Sequence, residues 1–152
     1  MNYELMQESH LEEIVKLQQE WDSENITYGF VAGTYQQIAE ALTQYCFIVR
    51  DGEKIIGYLM AELQQDNEFC VFPKGASYVE VYDLYIAKDY RSCGYGNELL
   101  KQCENEARKN GIKHIYLSSA TKDAEAVRNF YTSSEYTIWA TQFFKNLEET
   151  LL

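Results

Sequence analysis

Apolar positions along this chain recur with two periods, and the switches between them outline its elements. Asn2 to Gln7 reads as a short first strand. Leu11, Ile14, Val15 and Trp21 then return at helical spacing behind the start signal Ser9-x-x-Glu12. A second, shorter helix is expected from Thr34, where Thr34-x-x-Gln37 repeats that signal. The segments YCFIVR (45–50) and KIIGYLMAEL (54–63) flank Asp51-Gly52-Glu53 and predict a β-hairpin. The polar stretch from Gln64 to Ser77, which holds the only proline, Pro73, reads as a loop.

The second half alternates strand and helix. A strand is expected from Tyr78 to Ala87, a turn from Arg91 to Gly96, and a helix from about Gly94 to Asn110. That helix buries Leu99, Leu100, Cys103 and Ala107, and Gly111 supplies its left-handed stop. Ile112–Ser119 predicts a strand, Asp123–Ser133 a helix, and Tyr136–Leu147 one or two closing strands. The order β-α-α-β-β-β-α-β-α-β(-β) makes a mixed α/β domain of α+β character. Its consecutive hairpin strands need antiparallel partners. At 152 residues the chain has room for one domain, spanning 1–152.

The strand YVEVYDLYI has two readings. Val79 and Val81 point one way, yet strict alternation sends Leu84 and Ile86 the other way, with Glu80. Either the strand slips phase near Tyr82–Asp83, as at a β-bulge, or it is buried on both faces. A bulge would splay this strand from its neighbour and leave backbone donors free for a ligand.

Composition narrows the chemistry. Apolar residues at 46% and charged residues at 24% are globular proportions. The start carries no basic-then-apolar signal and no apolar run is long enough to span a bilayer, so a cytoplasmic protein without a membrane partner is expected. Cys46, Cys70, Cys93 and Cys103 form no CxxC pair, and His10 and His114 stand apart, so no metal site is expected. A formal charge of −11 argues against nucleic acid and favours cationic partners.

Arg91-Ser92-Cys93-Gly94-Tyr95-Gly96 lies between an apolar strand and an amphipathic helix. Such a turn aims several N–H groups, with the positive end of the helix dipole, at one point, a suitable cradle for a pyrophosphate. Competing phosphate motifs fail, since Leu99 stands where a dinucleotide fingerprint needs its third glycine and no GK[ST] follows.

YDLYIAKDYRSCGYGNELL (82–100), KNGIKHIYLSS (109–119) and AVRNFYTSSEY (126–136), in that order and spacing, resemble the GNAT superfamily of acetyl-CoA-dependent N-acyltransferases. The resemblance implies a mixed sheet of six to seven strands, split between strands four and five, with about four helices. It implies acetyl-CoA as co-substrate, its pantetheine arm beside Leu84, Tyr85 and Ile86 and its pyrophosphate on the turn formed by Arg91, Ser92, Cys93, Gly94, Tyr95 and Gly96. Tyr131, of the pair Phe130-Tyr131, falls where the family's tyrosine protonates the departing thiolate, a task that suits a phenol. Glu80 matches a carboxylate that some members use as general base, and Asp83 an acidic position in others; the two share that work or hold substrate. Two departures stand out: Glu135 replaces a frequent turn glycine, and Ala124 replaces a polar residue before the tyrosine, so one side-chain contact to CoA is either absent or made by Asp123 or Asn129.

In this family the first two helices and their connection wall the acceptor site. Residues 1–25 hold seven acids (Glu4, Glu8, Glu12, Glu13, Glu20, Asp22, Glu24) against Lys16 alone, followed by aromatic residues. Trp21, Asp22, Glu24 and Tyr28 are therefore candidate contacts for an ammonium group. The expectation is acetylation of a primary amine on a small cationic molecule by direct transfer in a ternary complex. Protein or peptide acetylation and a non-catalytic acyl-CoA-binding module are the alternatives, and a homodimer is compatible with all of them.

Overall fold

The computed structural model describes residues 1–65 and 68–148. Five strands form one sheet in the order β1-β2-β3-β4-β5: β1 (Asn2–Leu5), β2 (Phe47–Asp51), β3 (Lys54–Gln64), β4 (Tyr78–Ile86) and β5 (Ile115–Leu117). The first four run antiparallel and β5 joins β4 in parallel, so the sheet is mixed. Four helices cover it: α1 (Leu11–Glu24), α2 (Tyr35–Glu40), α3 (Tyr95–Lys109) and α4 (Ala124–Ser133). This is the mixed α/β architecture expected, with five strands where six to seven were expected.

Local signals explain most of these boundaries. The Thr34 box forms, with Gln37 N–H donating to Thr34 Oγ1 at 3.2 Å and Thr34 N–H to Gln37 Oε1 at 2.9 Å. The Ser9-x-x-Glu12 box does not. A 3-10 turn over Glu8–His10 precedes α1, and Gln7 N–H donates to His10 Nδ1 at 3.1 Å instead. The hairpin closes at Gly52, whose φ of 57° suits a residue without a Cβ. Asp123 caps α4 by accepting the Ala126 N–H at 3.0 Å. Within the polar excursion from Gln64 to Ser77, residues 66 and 67 lie outside those described.

The sheet separates two apolar cores. On one face α1 and α2 pack Leu11, Ile14, Leu17, Trp21 and Ile38 against Tyr58, Met60 and Tyr85. On the other, α3 packs Leu99, Leu100, Cys103 and Ala107 against Val49, Leu59, Val79 and Val81. β4 borders both. Its register against β3 shifts where Met60 faces Asp83 and Ala61 faces Val81, so Tyr82 is the extra, bulged residue. Of the two readings of this strand, the phase slip is the one observed. Val79, Val81, Leu84 and Ile86 all reach the α3 core, while Asp83 and Tyr85 turn toward α1.

Two expected strands differ. β5 spans Ile115–Leu117 rather than Ile112–Ser119, because β4, its only partner strand among the described residues, pairs with it no further than Val81. Residues 137–147 form no strand, and Phe143 and Phe144 stand 92% and 77% exposed. The strand-forming residues are present there, but no described strand pairs with them.

Candidate functional site

The bulge at Tyr82 opens the edge of β4. Parallel pairing with β5 ends at Val81–Leu117, where β5 itself ends, and β4 runs on to Ile86 with no described strand on that side. Ala87 N–H donates to Ile56 O of β3 at 2.8 Å, so the alternation of an antiparallel ladder turns the N–H and C=O of Leu84 and Ile86 away from β3. A short length of backbone therefore faces the gap, and Arg91 Nε occupies the Ile86 carbonyl at 2.8 Å.

At the end of that edge lies the turn 91–96. Ser92 and Gly94 both adopt left-handed backbone, with φ of 61° and 85°, and Gly94 is the N-cap of α3. The first N–H groups of α3 have no carbonyl a turn earlier to bond, so they project from the helix end. A Cβ built on Gly94 meets nothing within 4 Å, so the space before the turn is open. A Cβ on Gly96 would press the Phe130 ring at 3.1 Å and 3.2 Å. Gly96 thus lets α4 approach the start of α3 and seats the neighbouring Tyr131 there. Open donors, helix dipole and free space together fit a diphosphate group. Cys93 is exposed on the same turn, its thiol donating to Arg91 O at 3.4 Å, and Tyr95 packs against the α3 core.

Arg91 directs its charge inward. Its NH1 and NH2 grip Glu24 at 2.8 Å and 2.7 Å, and Tyr85 Oη donates to the same carboxylate at 2.5 Å. The Arg91 hydrogen bonds foremost, aided by that of Tyr85, hold the Glu24 carboxyl below its ordinary range. Burial first, then Glu24, pushes the Tyr85 phenol up. This network ties the last turn of α1 to the start of the phosphate turn.

On the α1–α2 side a cleft of about 360 Å³ opens beside the bulge, walled by Phe30, Val31, Ile38 and Met60, with Tyr82 and Asp83 on the β4 side. Asp83 accepts from Gln18 Nε2 at 3.1 Å and from Tyr58 Oη at 3.3 Å. Burial raises its carboxyl from 3.8 to about 6, with the Tyr58 hydrogen bond opposing. It is therefore ionised at neutral pH yet close to titrating. Glu80 lies further along β4, opposite Glu62 of β3, and Gln64 Nε2 bridges the two at 3.2 Å and 2.6 Å.

Tyr131 lies across the sheet from Asp83, packed edge-on against Phe130 and Tyr136 with ring centroids 4.9 Å and 5.8 Å away. Burial pushes its phenol up to about 12. Its hydroxyl has no hydrogen-bond partner among the described residues. Asn129 is exposed on α4. A group in the gap between β4 and β5 would have the Asp83 face on one side and the Tyr131 face on the other.

The four expected acceptor contacts sit elsewhere. Trp21 is buried, stacked between Phe30 and Tyr85, and donates to Thr27 Oγ1 at 3.0 Å. Asp22 accepts the Ala32 N–H at 2.9 Å, Glu24 is held by Arg91, and Tyr28 lies beneath Lys122 Nζ, outside the cleft. The connection does wall the cleft, but through Gly29, Phe30 and Val31. Sequence reasoning missed Gln18 and Tyr58. The signal for Gln18 was an amide on the apolar stripe of α1, between Ile14 and Trp21, where a buried polar group needs a partner.

The acetyltransferase (GNAT) family model matches residues 4–136. No curated protein matches the chain in sequence. Among solved structures, the BH1408 protein from Bacillus halodurans, a tetramutant, is similar at a TM-score of 0.78 and 14% identity, covering 97% of this chain and 100% of that one. The aminoglycoside acetyltransferase meta-AAC0020 from an uncultured soil metagenomic sample is similar at 0.72 and 17%, covering 96% and 95%. The aminoglycoside N-acetyltransferase AAC(6')-Iy in complex with CoA is similar at 0.71 and 12%, covering 95% and 98%.

Proposed function

Because this chain belongs to the GNAT acetyltransferase family and is an acyltransferase that uses acetyl-CoA, we propose that it acetylates a primary amine on a small cationic molecule by direct transfer. The observation that carries this reading is the bulge at Tyr82, which opens the β4 edge between the phosphate turn and the cleft at Asp83. Acetyl-CoA brings an already activated acyl group, so the chain needs no covalent nucleophile of its own. The turn 91–96 receives the diphosphate, and the outward N–H and C=O of Leu84, with the Ile86 N–H, pair with the pantetheine amides, the Ile86 carbonyl being held by Arg91.

Asp83 is the general base. An ammonium must lose a proton before it attacks, and a carboxylate with a pKa of about 6 is ionised at neutral pH and takes that proton. Tyr131 is the general acid. Its phenol, protonated up to about pH 12, gives its proton to the departing sulfur. The proton leaving the amine and the proton reaching the thiol are thus handled on opposite faces of β4. Support for a small amine acceptor comes from the cleft's size and from aminoglycoside acetyltransferases among the structural neighbours. Glu80 and Glu62, along the strand from Asp83, suit a second ammonium on the acceptor.

A thiol-release assay with acetyl-CoA and a panel of amines tests this. Diamines and aminoglycosides are expected to release thiol faster than neutral or acidic amino acids. Failure of every small amine, with acetyl-CoA still raising the melting temperature, would point to a protein or peptide acceptor or to an acyl-CoA-binding module instead.

A further inference from the structure

Resting on the reading that a small amine is acetylated at Asp83, we infer that the bulged residue Tyr82 selects that amine by length. Its ring bars the cleft at Asp83 from the carboxylates Glu62 and Glu80. A second ammonium on the acceptor reaches them only on a chain long enough to pass the ring.

The register of β3 and β4 lays two rows across the sheet. Met60 faces Asp83 in one, and Glu62 faces Glu80 in the other. Ala61 and Val81, which pair between them, turn to the α3 core, so alternation puts both rows on the α1–α2 face. The rows are two residues apart on β3, about 7 Å at the rise of a strand. Tyr82 is the extra residue of β4, with no partner on β3, and falls between them.

Its side chain runs across this interval. Tyr82 Oη donates to the carbonyl of Ala41, the C-cap of α2, at 3.3 Å. Ala41 stands close to the Ala61 backbone that separates the rows: Cys46 Sγ lies 3.8 Å from Ala41 O and 3.6 Å from Ala61 O. The ring is thus held at both ends, by the bulge and by α2. Tyr82 and Ala41 line the cleft together with Asp83, whereas Glu62 and Glu80 do not. Burial foremost, then Cys46, Glu62, Asp83 and Glu80, pushes the Tyr82 phenol up, which keeps it protonated for its bond to Ala41.

Among the described residues, Asp83 is the only charged side chain on the cleft wall. A compact diamine placed for acetylation there leaves its second ammonium against Met60 and the ring, which hold a cation less firmly than a carboxylate does. A longer diamine crosses the ring, which is 37% exposed, and sets that ammonium on Glu62 and Glu80. Gln64 Nε2 holds those two carboxylates together without neutralising them. The row spacing puts the change between three- and five-carbon diamines.

Thiol release from acetyl-CoA by propane-1,3-diamine and by pentane-1,5-diamine tests this. The native chain should favour the five-carbon diamine in kcat/KM by about tenfold or more. Tyr82→Ala should bring the two diamines within about threefold of each other, because the glutamates then reach into the joined cleft. Tyr82→Phe keeps the ring and should keep the preference, and Glu62→Gln with Glu80→Gln should erase it. A ratio between two acceptors in one protein is blind to a general loss of activity or fold. Comparing the same pair across variants cancels their difference in basicity. A preference that is absent from the native chain or from Tyr82→Phe, or that survives Tyr82→Ala or the glutamine pair, overturns the selection by Tyr82 alone. If no small amine is acetylated while acetyl-CoA still raises the melting temperature, the acceptor reading falls and the role of Tyr82 falls with it.

Discussion

Gln18 donates through Nε2 to Asp83 Oδ2 at 3.1 Å while its Oε1 accepts the Gly33 N–H at 2.8 Å. One amide on α1 thus fixes both the carboxylate at the bulge and the connection walling the cleft. Neutral glutamine can do this without driving the carboxyl pKa far down, as a lysine or arginine there would. Burial therefore remains the leading influence on Asp83.

Asp83→Asn should make the protein more stable at neutral pH and nearly inactive. A carboxyl raised from 3.8 to about 6 disfavours its ionised form in the fold by about 3 kcal/mol. Because the folded pKa is the higher one, the native chain carries no such penalty below pH 4. The penalty grows between pH 4 and 6 and is complete above. Thermal melts across pH should show the variant's advantage vanishing in acid. In the native enzyme kcat/KM should rise as pH passes about 6, and the variant's profile should lack that limb.

Tyr131→Phe should lower kcat by about 10²- to 10⁴-fold with little change in acetyl-CoA affinity. Its hydroxyl has no partner among the described residues and its ring packing is kept, so the melting temperature should barely move. Unchanged turnover at neutral pH would assign thiolate protonation to water or another group.

What the sequence revealed was local. The Thr34 box and the hairpin at Gly52 each follow from residues a few positions apart. The four aliphatics of β4 left a phase slip and burial on both faces equally open, and only the register against β3 decides for the slip. The ion pair of Glu24 with Arg91 joins residues 67 apart, and no periodicity announces it. Glu24 looked like a free acid on an acidic helix. The missing strands over 137–147 illustrate the converse: propensity was readable, whereas the partner that would make a strand was not.

Gly94→Asp should abolish the acetyl-CoA thermal shift, and Gly94→Ala should reduce it far less. Both put a Cβ on a backbone with φ of 85°, costing about 1 kcal/mol, and neither Cβ meets a neighbour. The aspartate adds negative charge where the diphosphate is proposed to sit. Equal shifts in both variants would move that group off the turn.

Glu135→Gly should stabilise the fold by about 0.5–1 kcal/mol. Glu135 has φ of 65° in the turn that ends α4, where Tyr136 N–H returns to Tyr131 O at 3.0 Å. The turn is kept despite the strain, so the glycine common in the family should relax it. A lower melting temperature would mean that chain entropy outweighs the strain.

Glu24→Gln bears on how α1 is joined to the phosphate turn. The native carboxylate accepts from two Arg91 nitrogens and from Tyr85, and Arg91 in turn holds the Ile86 carbonyl at the end of the open edge. An amide offers one acceptor oxygen in place of two and presents N–H to a guanidinium, so the bidentate grip is lost. The pair is partly exposed, with side-chain exposures of 33% and 18%, and solvent screening limits its contribution to about 1–2 kcal/mol of stability. Since Arg91 orients the backbone leading into the turn, acetyl-CoA affinity should fall by about tenfold. The acceptor KM should stay near its native value, because Glu24 does not line the cleft. Glu24→Asp, which keeps the charge on a shorter arm, should recover part of the loss. A rise in acetyl-CoA affinity would reverse the assignment: Arg91 freed from Glu24 would then be turning to the phosphates, and Glu24 would be their competitor.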